Sequence, residues 1–289
     1  MSGPSVITAV PTAFRADGGL DPEGSRAIFD YVARSGNEGA FVLGTTGEFP
    51  ALTVSERGVL VDLALQRLAP HMRVIVHVGA PSLFEVLQLL DQARDAGARE
   101  VAVITPYFLP ATDGALRDFF GAVSAAADGL DVHVYVYRKR TGNFVSTELM
   151  AELSRLPHVV GAKVSEEPLE QLAAYRAVVP DSFLLYTGAD GEILHLADAG
   201  VQGVVSGVSS VLPRPFRQAV DAVVSASPDK LVAAQSAVDE AVGVIGGDLA
   251  RMKAAYALLG VPAGGNRMAV EKPDAAALAQ VEQVVKDYR

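Results

Sequence analysis

Lys163 is the first residue whose type and place suggest chemistry, because it lies at the end of an apolar segment that begins at Val159. Burial disfavours the ammonium form of a lysine, lowers its pKa and exposes the lone pair that attacks a carbonyl carbon. A lysine in this position can also extend to solvent, or pair with Glu166 or Glu167. Taken alone, the segment favours that structural role, so the chemistry needs support from other residues.

Support comes from the segment at residues 132–137, in which His133, Tyr135 and Tyr137 alternate with valines. Alternation puts these three side chains on one face of a strand. If that face points inward, Tyr135 lies beside the strand of Lys163, where a phenol can carry protons while a carbinolamine forms and a bond breaks. The alternative is an aromatic core residue with a satisfied hydroxyl.

Two further motifs suggest anion binding. Residues 44–48 read Gly-Thr-Thr-Gly-Glu, and the hydroxyls of Thr45 and Thr46 between two glycines suit a carboxylate. Arg140 offers a guanidinium for a second carboxylate. The alternatives are a plain turn before a helix cap and a surface arginine.

Other kinds of site are less well supported. The five histidines show no HxxxH or HxH spacing, so zinc held by His77 and His133 is a remote alternative. The glycine-rich residues 203–207 lack the Walker pattern of a phosphate loop. The chain has no Cys, which excludes a disulfide framework, a thiol nucleophile and Cys-ligated zinc.

The elements that must position these residues are eight apolar segments that alternate with amphipathic helical patterns. The segments are Val6–Val10, Ala40–Leu43, Val74–Val78, Val101–Thr105, Val132–Val136, Val159–Lys163, Phe183–Tyr186 and Gly203–Val205. Their spacing, (205 − 6)/7 or about 28 residues, predicts an α/β fold of the (β/α)8 TIM-barrel type. A doubly wound sheet is the alternative, but no GxGxxG follows the first segment.

The last part of the chain predicts helices only. Helical patterns cover residues 213–226, 229–260 with a break at Gly246-Gly247, and 274–288. The sequence therefore predicts a barrel over residues 1–210 and a C-terminal helical extension over residues 211–289. Gly36, Gly97 and Gly200 are predicted to end helices.

The composition indicates which binding partners and which cellular location are to be expected. The 289 residues contain 24 Lys and Arg against 34 Asp and Glu, a net charge of −10, which argues against general nucleic-acid or anionic-membrane binding. Residues 1–5 do not resemble a secretory signal, and no apolar run approaches the ~20 residues that span a bilayer. We expect a cytoplasmic protein. Its 50% apolar residues also favour contacts between copies of the chain.

Together the motifs resemble those of the dihydrodipicolinate synthase and N-acetylneuraminate lyase family of Schiff-base aldolases, over about residues 5–270. The resemblance rests on GTTGE (44–48), TPY (105–107), Tyr135 followed by RTG (140–142), GAK (161–163), TGAD (187–190) and GVVSG (203–207).

The resemblance implies roles for the candidate residues. Lys163 would form an imine with a 2-keto acid such as pyruvate, and the protonated imine is the electron sink, so no metal or organic cofactor is required. Tyr135 would act as general acid and base. Thr45, counted with the catalytic residues, and Thr46 would hold the keto acid's carboxylate. The main chain near Gly188 and Val205 would line the site, and the family implies a homotetramer or dimer.

Two departures from the family and one agreement with it bear on the substrate. Many members have Tyr-Asn-x-Pro where this chain has Val136 and Arg138 at the Asn and Pro positions. Phe108 replaces the tyrosine that completes a proton relay between subunits in the synthases, and phenylalanine has no proton to pass. Arg140 matches the arginine that binds the second substrate of those synthases.

Residues 106–112 resemble the corresponding stretch of aldolases that act on 2-keto-3-deoxy sugar acids. We therefore expect reversible aldol cleavage of such an acid to pyruvate and an aldehyde. The alternatives are a dihydrodipicolinate synthase that joins pyruvate to aspartate semialdehyde, and a keto-deoxy sugar acid dehydratase. A catalytically inactive barrel that binds a keto acid is a further alternative.

Overall fold

A computed structural model describes residues 3–289. The first two residues of the predicted barrel domain lie outside the described residues. They are also the first two of residues 1–5, which were compared with a secretory signal. Eight parallel strands form one closed barrel in sequence order, which confirms the (β/α)8 prediction and excludes the doubly wound sheet. The strands are β1 Ser5–Ala9, β2 Gly39–Val42, β3 Arg73–His77, β4 Glu100–Ile104, β5 Asp131–Val136, β6 Val159–Val164, β7 Leu184–Thr187 and β8 Gly203–Ser206.

Helices follow most of the strands, and a further group follows β8. They are α1 Pro22–Val32, α2 Val54–Leu68, α3 Leu83–Asp95, α4 Asp113–Ala126, α5 Arg138–Thr141, α6 Thr147–Leu153, α7 Leu169–Arg176, α8 Val208–Val211, α9 Pro213–Ser225, α10 Pro228–Ile245, α11 Leu249–Leu258 and α12 Ala275–Tyr288. Within residues 3–289, no helix is long and apolar enough to cross a membrane.

The strands form where the sequence predicts them because most of their residues are apolar and buried. Each predicted strand agrees with the observed one to within one residue at either end. Parallel strands that are covered on both faces require such continuous apolar character, since neither face meets water.

Local signals in the sequence also fix the helix ends. The Asp21 side chain accepts a hydrogen bond from the Gly24 amide at the start of α1. Thr53 and Glu56 form a reciprocal capping box at the start of α2. The predicted helix-ending glycines at positions 36, 97 and 200 all have positive φ angles, which an L side chain rarely adopts.

The chain forms two compact parts, which are described separately below. One contains residues 3–74 and 206–289, and the other contains residues 75–205. In the first part, the predicted C-terminal helices are present as α9 to α12, with the expected break between α10 and α11 at Gly246-Gly247. The predicted domain boundary near residue 210 stays a prediction.

Candidate active site

Lys163 lies near the end of β6 and is buried, with 6% of its surface exposed. In the sheet register it is paired with Tyr135 of β5 on one side and Tyr186 of β7 on the other. Its Nζ atom lies 4.3 Å from the centroid of the Tyr135 ring. The structure therefore brings together the two residues for which the sequence predicts covalent and proton-transfer roles.

Burial gives Lys163 the chemical character that imine formation requires. It lowers the pKa of Lys163 from 10.5 to about 7, and the negative charge of Asp190 opposes this shift only in part. At neutral pH, Lys163 is therefore a neutral amine in a large fraction of the molecules, and the neutral amine is the nucleophilic form. Asp190 ends the TGAD motif, but no spacing or pattern in the sequence connects it with Lys163.

Tyr135 is held in an aromatic cluster inside its part of the chain. Only 1% of its surface is exposed. The His77 ring meets it edge-on at 5.8 Å between centroids, and the Tyr137 ring lies 6.1 Å away. A phenol fixed on several sides loses little entropy when it transfers a proton, because its position is set before substrate binds.

The histidines of this region make separate contacts. His133 Nε2 lies 3.1 Å from Glu100 Oε2, and the His133 ring packs against Tyr186. Throughout residues 3–289 no group of three or more His, Cys, Asp or Glu side chains is arranged to hold a metal ion.

Arg140 lies in the short helix α5, directly after β5. Its guanidinium lies 5.8 Å from the centroid of the Tyr137 ring, and its Nε donates to the Tyr137 hydroxyl over 3.5 Å. Tyr137 in turn donates a hydrogen bond to Glu166, whose other carboxylate oxygen lies 3.0 Å from Lys139 Nζ. Glu166 thus binds Tyr137 and Lys139, and burial together with this carboxylate raises the pKa of Tyr137 to about 12.

The TPY and RTG motifs contact each other through their threonines. Thr105 Oγ1 donates to Thr141 Oγ1 over 3.0 Å. The next residue after RTG, Asn143, fixes the loop that follows TPY: its Nδ2 donates to the carbonyls of Pro106 and Leu109, and its Oδ1 accepts from the Ala111 amide. Composition and spacing gave no signal for Asn143, because its partners are more than 30 residues away.

Gly188 directly follows β7, and Val205 lies in β8, one residue before its end. The Gly188 amide donates to the Val164 carbonyl over 2.8 Å, and a Cβ atom at Gly188 would lie 2.6 Å from Ser165 Oγ. Only glycine therefore fits at position 188 without displacing Ser165. Val205 is buried in β8.

Thr45 and Thr46 lie in the first part of the chain, in the turn that directly follows β2. The Gly47 and Glu48 amides donate to the Gly44 and Thr45 carbonyls, both over 3.0 Å. The turn is compact, as the two glycines predicted, and it leads into the 3₁₀ helix Phe49–Ala51. Thr46 lies beside Gly207, at which a Cβ atom would come within 3.4 Å of the Thr46 hydroxyl.

Comparison with known proteins relates this architecture to a family. The model of the Dihydrodipicolinate synthetase family matches residues 3–287. A 4-hydroxy-tetrahydrodipicolinate synthase of Alkaliphilus oremlandii is 31% identical over 227 residues, which is 78% of both chains. An uncharacterized DapA-like lyase of Halobacterium salinarum is 33% identical over 261 residues, 90% of this chain and 85% of its own.

A solved structure gives the same relationship. The crystal structure of dihydrodipicolinate synthase from Thermotoga maritima superposes with a TM-score of 0.90 at 28% identity, over 100% of this chain and 99% of that one. The family match covers nearly the whole described chain, so fold and sequence agree. The chain therefore belongs to the dihydrodipicolinate synthetase family of class I pyruvate aldolases, and it is a Schiff-base lyase.

Proposed function

We propose that this protein catalyses the reversible aldol cleavage of a 2-keto-3-deoxy sugar acid to pyruvate and an aldehyde. The observation that carries the proposal is the buried Lys163 amine, 4.3 Å from the centroid of the Tyr135 ring. The choice of a sugar acid rests on residues 106–112, which resemble those of the sugar-acid aldolases, and on Phe108, which lacks the hydroxyl of the synthases.

The reaction begins at Lys163 and balances without an external cofactor. The Nζ lone pair attacks the keto carbon, and loss of water from the carbinolamine gives a protonated imine. When a base removes the proton of the C4 hydroxyl, the C3–C4 bonding electrons move into the imine and the aldehyde leaves. The resulting enamine is protonated at C3, and hydrolysis releases pyruvate and regenerates the amine.

Tyr135 is the proposed acid and base for these proton transfers, since its ring faces Lys163. Thr45 and Thr46 are proposed to bind the keto acid's carboxylate, with Thr45 also contributing to catalysis. The main chain at Gly188 and Val205 is proposed to line the site. Arg140, an exposed residue, is proposed to bind the polar end of the second substrate.

The second candidate is the condensation of pyruvate with aspartate semialdehyde. Two relatives at 31% and 33% identity, from Alkaliphilus oremlandii and Xanthomonas axonopodis, carry the name 4-hydroxy-tetrahydrodipicolinate synthase, and Arg140 matches the synthases' arginine. Phe108 weighs against this candidate because it cannot take part in the synthases' proton relay.

We also propose that the protein is a cytoplasmic homo-oligomer, a dimer or tetramer. Phe108 and Leu109 expose 91% and 70% of their surfaces, and Asn143 holds their loop firmly in place. Exposed patches of apolar side chains are typical of contact surfaces between copies of a chain. Sedimentation analysis of the wild type and of Phe108→Ser checks this expectation: the variant should dissociate more readily.

A substrate panel tests the proposed function. The enzyme is supplied with pyruvate and one aldehyde at a time, including sugar-derived aldehydes and aspartate semialdehyde, and the products are identified. We expect 2-keto-3-deoxy acids from sugar-derived aldehydes, and their cleavage in the reverse direction. Rapid use of aspartate semialdehyde, with no sugar-acid product, would replace the proposal by its alternative.

A further inference from the structure

Glu48 ends the turn that carries Thr45 and Thr46, and its side chain is completely buried. Its Oε1 accepts from Lys253 Nζ over 2.9 Å and from Asn266 Nδ2 over 3.0 Å. Its Oε2 accepts from the backbone amides of residues 267 and 268 over 2.9 and 2.7 Å. A buried carboxylate is costly unless it is paired and hydrogen-bonded, and here four donors satisfy it.

Three of those donors lie in residues 265–268, an irregular segment between α11 and α12 that we call the C-terminal strap. Lys253 Nζ also donates to the Gly265 carbonyl over 2.6 Å. The Arg267 guanidinium binds both carboxylate oxygens of Glu56 at 2.8 Å, and donates to the carbonyls of Gly18 and Ala51. The strap is therefore fixed by charged groups along its length.

The backbone of Glu48 belongs to the turn itself. Its amide donates to the Thr45 carbonyl over 3.0 Å, and the Thr12 hydroxyl donates to the neighbouring Gly47 carbonyl over 2.8 Å. Glu48 also has a φ angle of 55°, in the left-handed region that a non-glycine residue adopts only when its surroundings impose it. Glu48 thus connects two regions: its side chain binds the strap, and its backbone binds Thr45.

We propose that Glu48 is a positioning residue, which, with Lys253 and the C-terminal strap, holds Thr45 and Thr46 in the geometry that binds the substrate carboxylate. This inference rests on the proposed function, because it assumes that the two threonines bind the keto acid. Glu48 lies within the GTTGE motif, but it contacts no reacting atom in this account. It acts through the conformation of the turn.

The test measures how much pyruvate is needed for half-maximal borohydride modification of Lys163. In Glu48→Gln the amide keeps the size of the side chain but loses the charge, and it cannot accept from all four donors. We expect the half-saturating pyruvate concentration to rise about tenfold or more, since small displacements of binding groups weaken productive binding strongly. The maximal extent of modification should stay as in the wild type, because Lys163 is untouched.

Glu38→Gln is the matched control. Glu38 lies in the same part of the chain, pairs with Arg217 at 2.8 Å and accepts from the Val6 amide, so its amide variant also loses an ion pair and one of two acceptor oxygens. We expect its pyruvate dependence to match the wild type. A role of Glu48 in stability alone would leave both variants with the wild-type pyruvate dependence.

A double variant covers the case in which Glu48→Gln does not fold. Glu48→Gln with Lys253→Met removes the buried ammonium together with its partner, and should fold while showing the same weakened pyruvate dependence. Wild-type pyruvate dependence in either folded variant would overturn the proposal. Failure of the proposed function looks different: the wild type itself would show no pyruvate-dependent modification of Lys163.

Discussion

Two lysines of this chain are buried to nearly the same degree, with 6% of Lys163 and 4% of Lys253 exposed. Both Nζ atoms lie over an aromatic ring, Tyr135 at 4.3 Å and Phe14 at 4.7 Å. Their other surroundings differ. Lys253 donates to the Glu48 carboxylate and to a backbone carbonyl, whereas the charge that most favours the ammonium form of Lys163 is that of Asp190.

The difference shows that the partner, and not burial alone, decides what a buried lysine does. Burial lowers the pKa of both residues, but the charge and hydrogen bond of Glu48 oppose the shift at Lys253. The charge of Asp190 opposes it at Lys163, where the pKa nevertheless falls to about 7. Lys253 therefore stabilises a folded segment, while Lys163 is available as a nucleophile.

The largest effect is expected for Lys163→Met. Turnover should fall at least about 10³-fold, because no other group supplies the imine nitrogen. Stability should not fall. Folding lowers the pKa of Lys163, so between pH 7 and 10.5 the unfolded chain binds more protons than the folded chain. The buried lysine therefore destabilises the folded state most at pH 7 and below. Activity assays and denaturant unfolding at pH 7 and pH 9 check both statements.

Turnover above about one hundredth of the wild-type rate in Lys163→Met would remove the residue from the mechanism. A clear loss of stability in this variant would contradict the claim that the two buried lysines differ in role.

Tyr135→Phe removes the proton donor beside Lys163 and keeps the aromatic ring. We expect kcat to fall about 10²- to 10⁴-fold, the usual contribution of a positioned acid or base. The aromatic face beside Lys163 remains, so the burial that lowers its pKa should persist. Steady-state kinetics measure the first effect, and the pH dependence of lysine modification measures the second. An unchanged kcat would assign Tyr135 to packing only.

Lys253→Met tests the other lysine. Removing one partner of a buried pair leaves an uncompensated charge, so the free energy of unfolding should fall by about 3–5 kcal/mol. Adding Glu48→Gln should restore part of the lost stability, because a neutral amide then replaces the buried carboxylate. Urea unfolding of the single and double variants gives the two values. If Lys253→Met were as stable as the wild type, the pair would have no stabilising role.

The smallest effect concerns pH. With a pKa of about 7, the neutral fraction of Lys163, and with it the rate of modification at low pyruvate, should rise about tenfold from pH 6 to pH 8 and then level off. An ordinary lysine with a pKa near 10.4 would show a rise of about a hundredfold over the same interval and continue upward. The continuing rise would contradict the lowered pKa.

The sequence predicts local features of the fold well. The apolar segments define the strands to within one residue, and Tyr135 of β5 lies beside the strand of Lys163, as expected. Glycines at helix ends adopt the conformations that their type suggests. These features follow from short-range rules of backbone geometry and burial.

Contacts between distant residues are not predictable in this way. Glu48 lies in a motif that the sequence identifies, yet its partners follow it by more than 200 residues, and no periodicity connects them. Asp190 and Asn143 are similar cases. The roles of Thr45, Thr46, Arg140, Gly188 and Val205 remain proposals, because side chains alone do not specify which substrate they bind.

We propose that Lys163, and not Lys253, forms the covalent bond to substrate. Borohydride reduction in saturating pyruvate, followed by digestion and mass spectrometry of the lysine peptides, tests it most directly. We expect a pyruvate-dependent mass increase on the Lys163 peptide and none on the Lys253 peptide. An unmodified Lys163, or an adduct at another lysine, would contradict it.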